Sequence, residues 1–248
     1  MDGNGRWAKA RGLPRIAGHR AGAKSVRTLV EECRRTGIRY LTLFSFSTEN
    51  WQRTKEEVSG LMGLFKDHLE AELTHPELLQ NGIRLRTIGD VARLPLAVRK
   101  VLATVVERTK ENTALDLILA LSYGGREDIV FAAQAISRRV LVGELAPDAI
   151  DVNTFSSCLW TAGVPDPDLM IRTGAEMRVS NFLLWQLAYA ELMVLDEYWP
   201  DFDAAVFHRC LEEYQTRERR FGLTSEQVTS EQATPEQANG ELDAANKN

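Results

Sequence analysis

The first 20 residues, MDGNGRWAKARGLPRIAGHR, combine one acidic side chain with glycines and several basic side chains. Asp2 precedes a Gly-Asn-Gly turn at residues 3–5, where the glycines leave backbone N–H groups accessible. Arg6 and Arg15 add positive charge to the same segment. Backbone N–H groups and guanidinium groups both bind phosphate oxygens, so this composition predicts an anion site for phosphate groups.

Asp2 is the unexpected member of this site. A single carboxylate among cationic groups repels a phosphate unless a divalent cation lies between them. Mg2+ is bound in this way, by one or two carboxylates together with substrate phosphates. The segment therefore predicts a magnesium-assisted diphosphate site, with Asp2 as a ligand of the metal.

Two other interpretations of this segment remain open. Residues 1–27 hold seven basic residues and one acidic residue, which is also typical of a solvated helix face or of a nucleic-acid-binding arm. Residues 18–25, GHRAGAKS, resemble the ATP-binding pattern G-x-x-x-x-G-K-[ST]. However, Ala23 replaces the second glycine of that pattern, and no apolar strand precedes the segment.

A second polar segment, FSTENWQRTKEE, directly follows an apolar run. Thr54 is predicted to cap a helix, with Glu57 three residues later completing a capping box. Capping does not account for Asn50, Trp51 and Arg53, which together can orient a phosphate and an apolar chain. We therefore assign these three residues to function.

A third segment, RTGAEMRVSNFLLWQLAYAEL, places Arg172 and Arg178 on either side of a turn. Two guanidinium groups bind one diphosphate well. Ser180 is predicted to cap an apolar helix over residues 181–188, whose first N–H groups offer a further anion site. Glu191, beyond that helix, is either a metal ligand or a surface acid.

Short apolar segments rich in β-forming residues alternate with segments of helical periodicity. The predicted strands are residues 40–46, 83–88, 115–121, 169–171 and 192–195, and the helical periodicity covers residues 58–73, 98–106 and 129–140. This alternation predicts an α/β fold with a mainly parallel β-sheet flanked by helices. Loops at the carboxyl ends of such strands gather functional groups, and FSTENWQR and RTGAEMR both follow strands directly.

The composition predicts one domain over residues 1–224 and a disordered acidic tail over residues 225–248. The chain has 248 residues, 44% of them apolar, and can bury a substantial core. The tail repeats five-residue units with Glu in second place and carries −4 of the net charge of −5. The nearly neutral remainder argues against nucleic-acid binding, which normally leaves a whole domain basic.

The three cysteines, Cys33, Cys158 and Cys210, are far apart and lack the spacing of a zinc or redox site. They predict buried thiols in a reducing cytoplasm. No signal peptide is recognisable, and the longest apolar runs are too short to cross a bilayer. We expect a cytoplasmic protein with at most a peripheral contact with a membrane.

Seven sequence blocks resemble those of cis-prenyltransferases of the undecaprenyl diphosphate synthase type. The blocks are DGNGRWA, GHRAGA, FSTENW, SYGGR, RTGAEMRVSNFLLWQ, WPDF and RERRFG, in this order over residues 1–222. The resemblance implies an α/β fold, a homodimer, and an apolar tunnel between helices and sheet that holds a growing isoprenoid.

The resemblance also implies a role for each matching residue. Asp2 is the essential carboxylate and binds Mg2+, and Glu191 is the second metal ligand. The residues implied to bind the allylic diphosphate are Gly3, Asn4, Gly5, Arg6, Trp7, Arg15 and His19. Those of the substrate loop are Ser47, Thr48, Glu49, Trp51 and Arg53. Those of the isopentenyl diphosphate site are Arg172, Arg178, Val179 and Ser180.

The implied reaction is the condensation of isopentenyl diphosphate with an allylic diphosphate, with farnesyl diphosphate as the expected primer. The product is a long polyprenyl diphosphate such as undecaprenyl diphosphate. Asn50 lies in the position of the proton acceptor; because an amide is a poor base, we expect it to orient a diphosphate or water that takes the proton. The alternative is a non-catalytic subunit that supports a partner enzyme, although a scaffold has no need of Asp2 and its basic neighbours.

Further expectations concern the tunnel and the motif boundaries. The candidates for the tunnel wall, for each of which core packing is the alternative, are Met62, Phe65, Leu69, Leu115, Leu117 and Leu119. Arg220 and Gly222 match a C-terminal motif that reaches across the dimer.

The family carries a β-strand before DGNGRW, and we expect this first strand to be missing upstream of Met1. Ala175 replaces the second glycine of the usual RTGGE turn, which strains the turn if its φ is positive.

Overall fold

A computed structural model describes residues 1–217 of the chain. The helices are α1 (Asn4–Ala10), α2 (Arg15–Arg35), α3 (Lys55–Thr74), α4 (Glu77–Gln80), α5 (Leu96–Thr109), α6 (Gly125–Leu141), α7 (Val152–Ser156) and α8 (Ala204–Gln215). The strands are β1 (Tyr40–Ser47), β2 (Ile83–Ile88), β3 (Leu115–Tyr123), β4 (Leu169–Arg172) and β5 (Glu191–Val194). Short 3-10 helices cover Thr48–Gln52, Val91–Arg93, Pro147–Ala149 and Trp199–Asp201. Met1–His208 form one compact unit.

The strands pair in parallel, which confirms the predicted α/β fold. β1, β3 and β2 form one sheet in that order, with Tyr40 opposite Asp116 and Ile83 opposite Leu115. β4 and β5 form a second, two-stranded parallel sheet. The expected single sheet is therefore divided, because no strand within residues 1–217 supplies a ladder between β1 and the β4–β5 pair.

β3 is the centre of the core, and each of its nine residues is buried. Its side chains alternate between two faces, as in any strand. Leu117, Leu119 and Leu121 face a cavity. Ile118 and Ala120 pack on the other face in a cluster with Ile88, Tyr123 and Leu183. Burial on both faces explains why this strand is a continuous apolar run in the sequence.

α1 packs against α2 at two glycines. A Cβ atom at Gly18 would lie 2.0 Å from the carbonyl oxygen of Asn4, and one at Gly22 would lie 2.4 Å from Asn4 Oδ1. The indole N–H of Trp199 also donates to the carbonyl oxygen of Gly22, at 2.9 Å. The absence of side chains at these positions lets the two helices approach closely and fixes the DGNGRW segment on α2.

The ATP-binding interpretation of residues 18–25 is wrong. All of these residues lie inside α2, whereas that motif requires a loop that leads into a helix. The sequence GHRAGAKS instead supplies the glycine face on which α1 packs.

The helix predicted over residues 181–188 is also wrong, because this segment forms a series of turns. Ser180, Asn181 and Leu183 have φ angles of 49°, 61° and 45°, which are incompatible with a right-handed helix. Asn181 instead bonds to the start of α6: its carbonyl oxygen accepts from the N–H of Gly125 and its Oδ1 from that of Arg126. Ser180 therefore caps no helix.

Several predictions lie partly or wholly outside residues 1–217. Arg220, Gly222 and the predicted acidic tail over residues 225–248 all fall there. Within the described part, the prediction of buried thiols is confirmed for Cys33 and Cys210 and is wrong for Cys158, which is partly exposed. Burial raises the pKa of the Cys33 thiol to about 12. None of the helices described there is both long enough and apolar enough to span a membrane.

Candidate active site

Asp2 is tied to the end of β4 by several hydrogen bonds. Its backbone N–H donates to Thr173 Oγ1 at 3.0 Å, and the Thr173 hydroxyl donates back to the Asp2 carbonyl at 2.8 Å. Arg172 donates to Asp2 Oδ2 at 2.9 Å, and the N–H of Gly3 donates to Oδ1 at 2.6 Å. Gly3 has a φ of 99°, which its lack of a side chain permits, and α1 begins directly after it.

The environment of Asp2 keeps its carboxylate ionised. Burial acts to raise the pKa of Asp2, but the hydrogen bonds from Arg172 and Gly3 and the charges of Arg172 and Arg6 outweigh it and lower the pKa. The result is an anionic oxygen ligand, half-buried and placed between cationic groups. Such a carboxylate suits Mg2+, which prefers oxygen ligands.

A first group of arginines surrounds Asp2. Arg6 lies 3.4 Å from Asp2 Oδ1 and 3.4 Å from Glu176, and Glu176 also pairs with Arg178 at 2.7 Å. Arg172, besides its contact with Asp2, donates to Ser180 Oγ at 2.7 Å. The structure therefore brings together residues for which the resemblance implied three roles: Asp2 as the metal ligand, Arg6 for the allylic diphosphate, and Arg172, Arg178 and Ser180 for isopentenyl diphosphate. Val179 lies between the last two in the chain.

A second polar group lies at the mouth of a cavity of about 750 Å³. The polar lining residues around Asp2 are Gly3, Asn4, Gly5, Arg15, His19, Asn50 and Arg53, and a further polar group of the lining is Arg27, Glu31, His68, Glu72, His75, Glu77 and Asn81. Arg15 lies across the backbone of Gly5, where a Cβ atom would be 2.9 Å from the guanidinium carbon. The first N–H groups of α1 have no carbonyl partner within the helix and lie in the same region.

His19 is neutral at physiological pH. Burial, followed by the positive charge of Arg53, lowers the pKa of His19 to about 4; Arg15 adds to this effect and Glu57 opposes it. The Nε2 atom of His19 is buried and has no hydrogen-bond partner among residues 1–217. A bound ligand that reaches this nitrogen would satisfy it.

The loop after β1 is held by its own side chains. Asn50 Oδ1 accepts from the N–H of Ser47 at 3.1 Å, and the Ser47 side chain accepts in return from the Asn50 backbone. This capping box occupies the amide oxygen of Asn50. The indole N–H of Trp51 donates to Ser122 Oγ at 2.9 Å, and its ring packs edge-on against Phe46.

The predicted cap of α3 is confirmed, but the predicted capping box is wrong. Thr54 Oγ1 accepts from the N–H of Glu57 at 3.3 Å. The Glu57 carboxylate does not complete the box, because it contacts Arg53 and Arg15 instead. Two guanidinium charges attract a carboxylate more strongly than one neutral backbone N–H group does.

Two predicted site residues, Trp7 and Glu49, have other contacts in the structure, and the hydroxyl of a third, Thr48, has none within the described part of the chain. The Trp7 indole donates to Asp201 at 2.7 Å, and Trp7 does not line the cavity. Glu49 accepts from Asn181 Nδ2 at 3.0 Å, which connects the loop after β1 to the segment after Ser180. Thr48 Oγ1 is buried without a partner among residues 1–217.

Glu191 lies at the start of β5. It is opposite Leu169 in the β4–β5 pair, whereas Arg172, which contacts Asp2, is at the other end of β4. Three strand residues correspond to roughly 10 Å. Within the described residues, no group of three or more His, Cys, Asp or Glu side chains is placed to hold a metal ion.

Apolar side chains of α3 and of the β1–β3–β2 sheet also line the cavity. Of the six candidates for a tunnel wall, five line it: Met62, Phe65, Leu69, Leu117 and Leu119. The prediction for Leu115 is wrong, because this residue is fully buried and does not line the cavity. Leu115 belongs to the end of β3 that packs into the core, and its type alone did not distinguish it from Leu117.

Sequence reasoning missed Thr173 and Glu176. Both lie in the RTGAEMR segment, but a threonine after a strand and a glutamate in a turn carry no distinctive signal. Their roles depend on contacts with the distant residues Asp2 and Arg6. The one available signal was the position of Glu176 between Arg172 and Arg178 in the sequence, from which an ion pair with an arginine could have been predicted.

Comparison with known proteins gives one consistent answer. Residues 1–222 match a protein family described as "putative undecaprenyl diphosphate synthase". An isoprenyl transferase of Agrobacterium fabrum is 51% identical over 92% of both chains. A ditrans,polycis-undecaprenyl-diphosphate synthase, (2E,6E)-farnesyl-diphosphate specific, of Xanthomonas axonopodis pv. citri is 49% identical over 92% of this chain and 88% of that protein.

Two solved structures share the fold. The lavandulyl diphosphate synthase of Lavandula x intermedia, in complex with dimethylallyl diphosphate, has a TM-score of 0.86 and 38% identity, and the match covers 90% of this chain and 95% of that one. A probable undecaprenyl diphosphate synthase of Campylobacter jejuni has a TM-score of 0.72 and 38% identity, over 82% of this chain and 92% of that one. With the Asp2 site and the cavity beside it, these matches establish that the chain belongs to the cis-prenyltransferases, the family of undecaprenyl diphosphate synthase, and is a prenyltransferase.

Proposed function

We propose that this prenyltransferase is Mg2+-dependent and extends farnesyl diphosphate with isopentenyl diphosphate to a long polyprenyl diphosphate, such as undecaprenyl diphosphate. The observation that carries the proposal is the position of Asp2. Its ionised carboxylate contacts Arg172 and Arg6 and lines a cavity whose walls divide into charged groups, among them Arg15 and Arg53, and apolar side chains of α3 and β3. An amphiphilic substrate with a diphosphate head and an isoprenoid tail matches this division. The 49% identity to a farnesyl-specific synthase supports the choice of primer.

The residues fit a magnesium ion. Asp2 supplies one anionic oxygen, and the absence of a larger ligand cluster within residues 1–217 agrees with an ion that substrate phosphates complete. We propose Asp2 as the ligand of this ion. Glu191 lies three strand residues from the Asp2 end of the β4–β5 pair, so the two carboxylates do not share one ion in this structure. When bound, Mg2+ neutralises part of the diphosphate charge.

The side chains divide between the two substrates. We assign the first N–H groups of α1, Arg15, His19 and Arg53 to the allylic diphosphate, because they share the cavity mouth. Arg172, Arg178 and Ser180 then bind isopentenyl diphosphate beside Asp2.

As the allylic C–O bond breaks, negative charge accumulates on the departing diphosphate, and the arginines stabilise it. The double bond of isopentenyl diphosphate forms the new C–C bond, and the proton lost from the product goes to a diphosphate or water oriented by Asn50. The isoprenoid tail extends along Leu117 and Leu119.

The proposal includes a cytoplasmic homodimer that meets a membrane only peripherally, where an apolar product would leave. It also implies no binding of nucleic acid. The alternative, a non-catalytic partner subunit, is disfavoured because the Asp2 site has its arginines in place.

One assay tests the function. The full chain is incubated with labelled isopentenyl diphosphate, Mg2+ and either farnesyl or dimethylallyl diphosphate, and product lengths are measured by chromatography. We expect long products from farnesyl diphosphate, lost on chelation of Mg2+. Absence of extension from either primer would refute the elongation activity, and extension that persists with chelator would refute the metal requirement.

A further inference from the structure

One carboxylate oxygen holds the two arginines at the cavity mouth. Arg53 NH1 lies 2.9 Å and Arg15 NH2 lies 3.3 Å from Glu57 Oε1. Arg15 is the first residue of α2, Arg53 precedes α3, and Glu57 is in the first turn of α3. The helix cap at Thr54 uses the backbone N–H of Glu57 and leaves the carboxylate for this contact.

The charges explain what this contact does. Because both nitrogens contact the same oxygen, they lie within about 6 Å of each other, a distance at which two like charges repel appreciably. Glu57 balances one of the two charges and leaves the group with a net positive charge. Without it, the flexible side chains of Arg15 and Arg53 would separate into solvent.

The burial of the three side chains shows which of them faces a ligand. Glu57 is 19% exposed, Arg53 is 31% exposed and Arg15 is 60% exposed, so the carboxylate lies behind the two cations. Each guanidinium has five N–H donors and gives only part of them to Glu57. The remaining donors are available to an anion in the cavity mouth, which meets the arginines before it meets the carboxylate.

We propose that Glu57 is a positioning residue for the allylic diphosphate, which holds Arg15 and Arg53 side by side so that both bind the same diphosphate. This inference rests on the proposed function, which assigns the two arginines to that substrate. Glu57 itself does not contact the substrate. His19 lies in the same electrostatic group, because the charges of Arg53, Glu57 and Arg15 all act on its pKa.

The test compares Glu57→Ala and Glu57→Gln with Glu56→Ala in the full chain. Glu56 is an exposed residue of the same helical turn. Glu56→Ala therefore removes the same charge from the N-terminus of α3 as Glu57→Ala does, but it leaves the contacts of Glu57 with the two arginines in place. We expect Glu57→Ala to raise the KM for farnesyl diphosphate ~10-fold, because Arg15 and Arg53 lose a charged hydrogen-bond partner. The KM for isopentenyl diphosphate should change less than about twofold. Glu57→Gln should be intermediate, since its amide oxygen still accepts one hydrogen bond. Glu56→Ala should change neither KM.

Titration with inorganic pyrophosphate and Mg2+ provides a readout that does not depend on turnover. We expect weaker binding by Glu57→Ala than by the wild type and by Glu56→Ala, even if the chain extends no primer and the proposed function fails. Unchanged pyrophosphate binding, or equal increases in both KM values, would overturn the role of Glu57. A lower melting temperature accompanied by unchanged KM values would assign it to stability alone and overturn the proposal as well.

Discussion

Asp2 performs a structural and a chemical task with different atoms. Its backbone binds Thr173, and its carboxylate binds Arg172 and faces Arg6. The sequence predicted the chemical task, because a carboxylate among basic residues and glycines is unusual. It could not predict the structural one, because Thr173 is 171 residues away and has no distinctive sequence signal.

The role of Asp2 leads to a prediction on activity. Asp2→Asn keeps one side-chain oxygen, which can accept from Gly3 or from Arg172 but does not replace both carboxylate oxygens, and it removes the negative charge. We expect turnover to fall at least ~100-fold, as for other groups that stabilise charge during reaction. Circular dichroism and thermal melting should remain close to wild type. The matched control is Asp148→Asn, in the exposed Pro147–Ala149 turn, and a comparable loss of activity there would contradict the assignment.

His19 predicts a dependence of stability on pH. Its pKa in the folded protein, about 4, is below the reference value of 6.5. Between pH 4 and pH 6.5, His19 is therefore protonated in the unfolded chain and neutral in the folded one. The contribution of neutral His19 to the free energy of unfolding is complete above about pH 6.5 and is lost as the pH falls towards 4. We expect the difference in unfolding free energy between wild type and His19→Gln to decrease by about 1–2 kcal/mol from pH 7 to pH 4, measured with urea. A pH-independent difference would show that His19 is not buried in its neutral form.

Hydrophobic periodicity predicts the strands of this chain well and the segment after Ser180 poorly. The predicted strand over residues 83–88 has the bounds of β2, and the other four strands differ by one or two residues. The apolar sequence of residues 181–188 resembles a helix equally well. It forms turns because the backbone of Asn181 bonds to α6 instead of to its own next turn, a contact that local sequence cannot reveal.

The turn after β4 contains a strained residue that can be relieved. Ala175 has a φ of 60°, a conformation that costs an L-residue roughly 1 kcal/mol and that glycine adopts freely. We expect Ala175→Gly to stabilise the protein by about 0.5–1 kcal/mol and to raise the melting temperature by about 1–3 °C. Ala103→Gly, in the exposed interior of α5, should instead destabilise it by about 1 kcal/mol. Equal destabilisation by both changes would show that Ala175 is not strained.

The cavity depends on the alternation of side chains between the two faces of β3. Leu117, Leu119 and Leu121 face it, while Ile118 and Ala120 pack into the opposite core. The sequence predicted that these leucines are buried, but it could not separate a packed wall from an open one. That distinction depends on how closely α2 and α3 approach the sheet, which is set by contacts between distant segments.

This arrangement predicts control of product length from β3. Leu117 lies further from the mouth than Leu121, because the carboxyl ends of β1 and β3 lead to the polar loops. We expect Leu117→Phe to shorten the products, since the larger ring occupies space that the isoprenoid tail requires. Leu117→Ala should lengthen them. Chromatography of the products at equal conversion measures both effects. Unchanged product lengths in both variants would show that the growing isoprenoid does not contact Leu117.

The ion pair between Asp2 and Arg172 joins residues that are 170 positions apart. Long-range contacts of this kind close late in folding, after the entropy of a large loop has been lost. A partly folded intermediate that already contains the β1–β3–β2 sheet would therefore lack a competent centre. Recovery of turnover after dilution from denaturant would then report the last ordering event of the polypeptide rather than its first collapse.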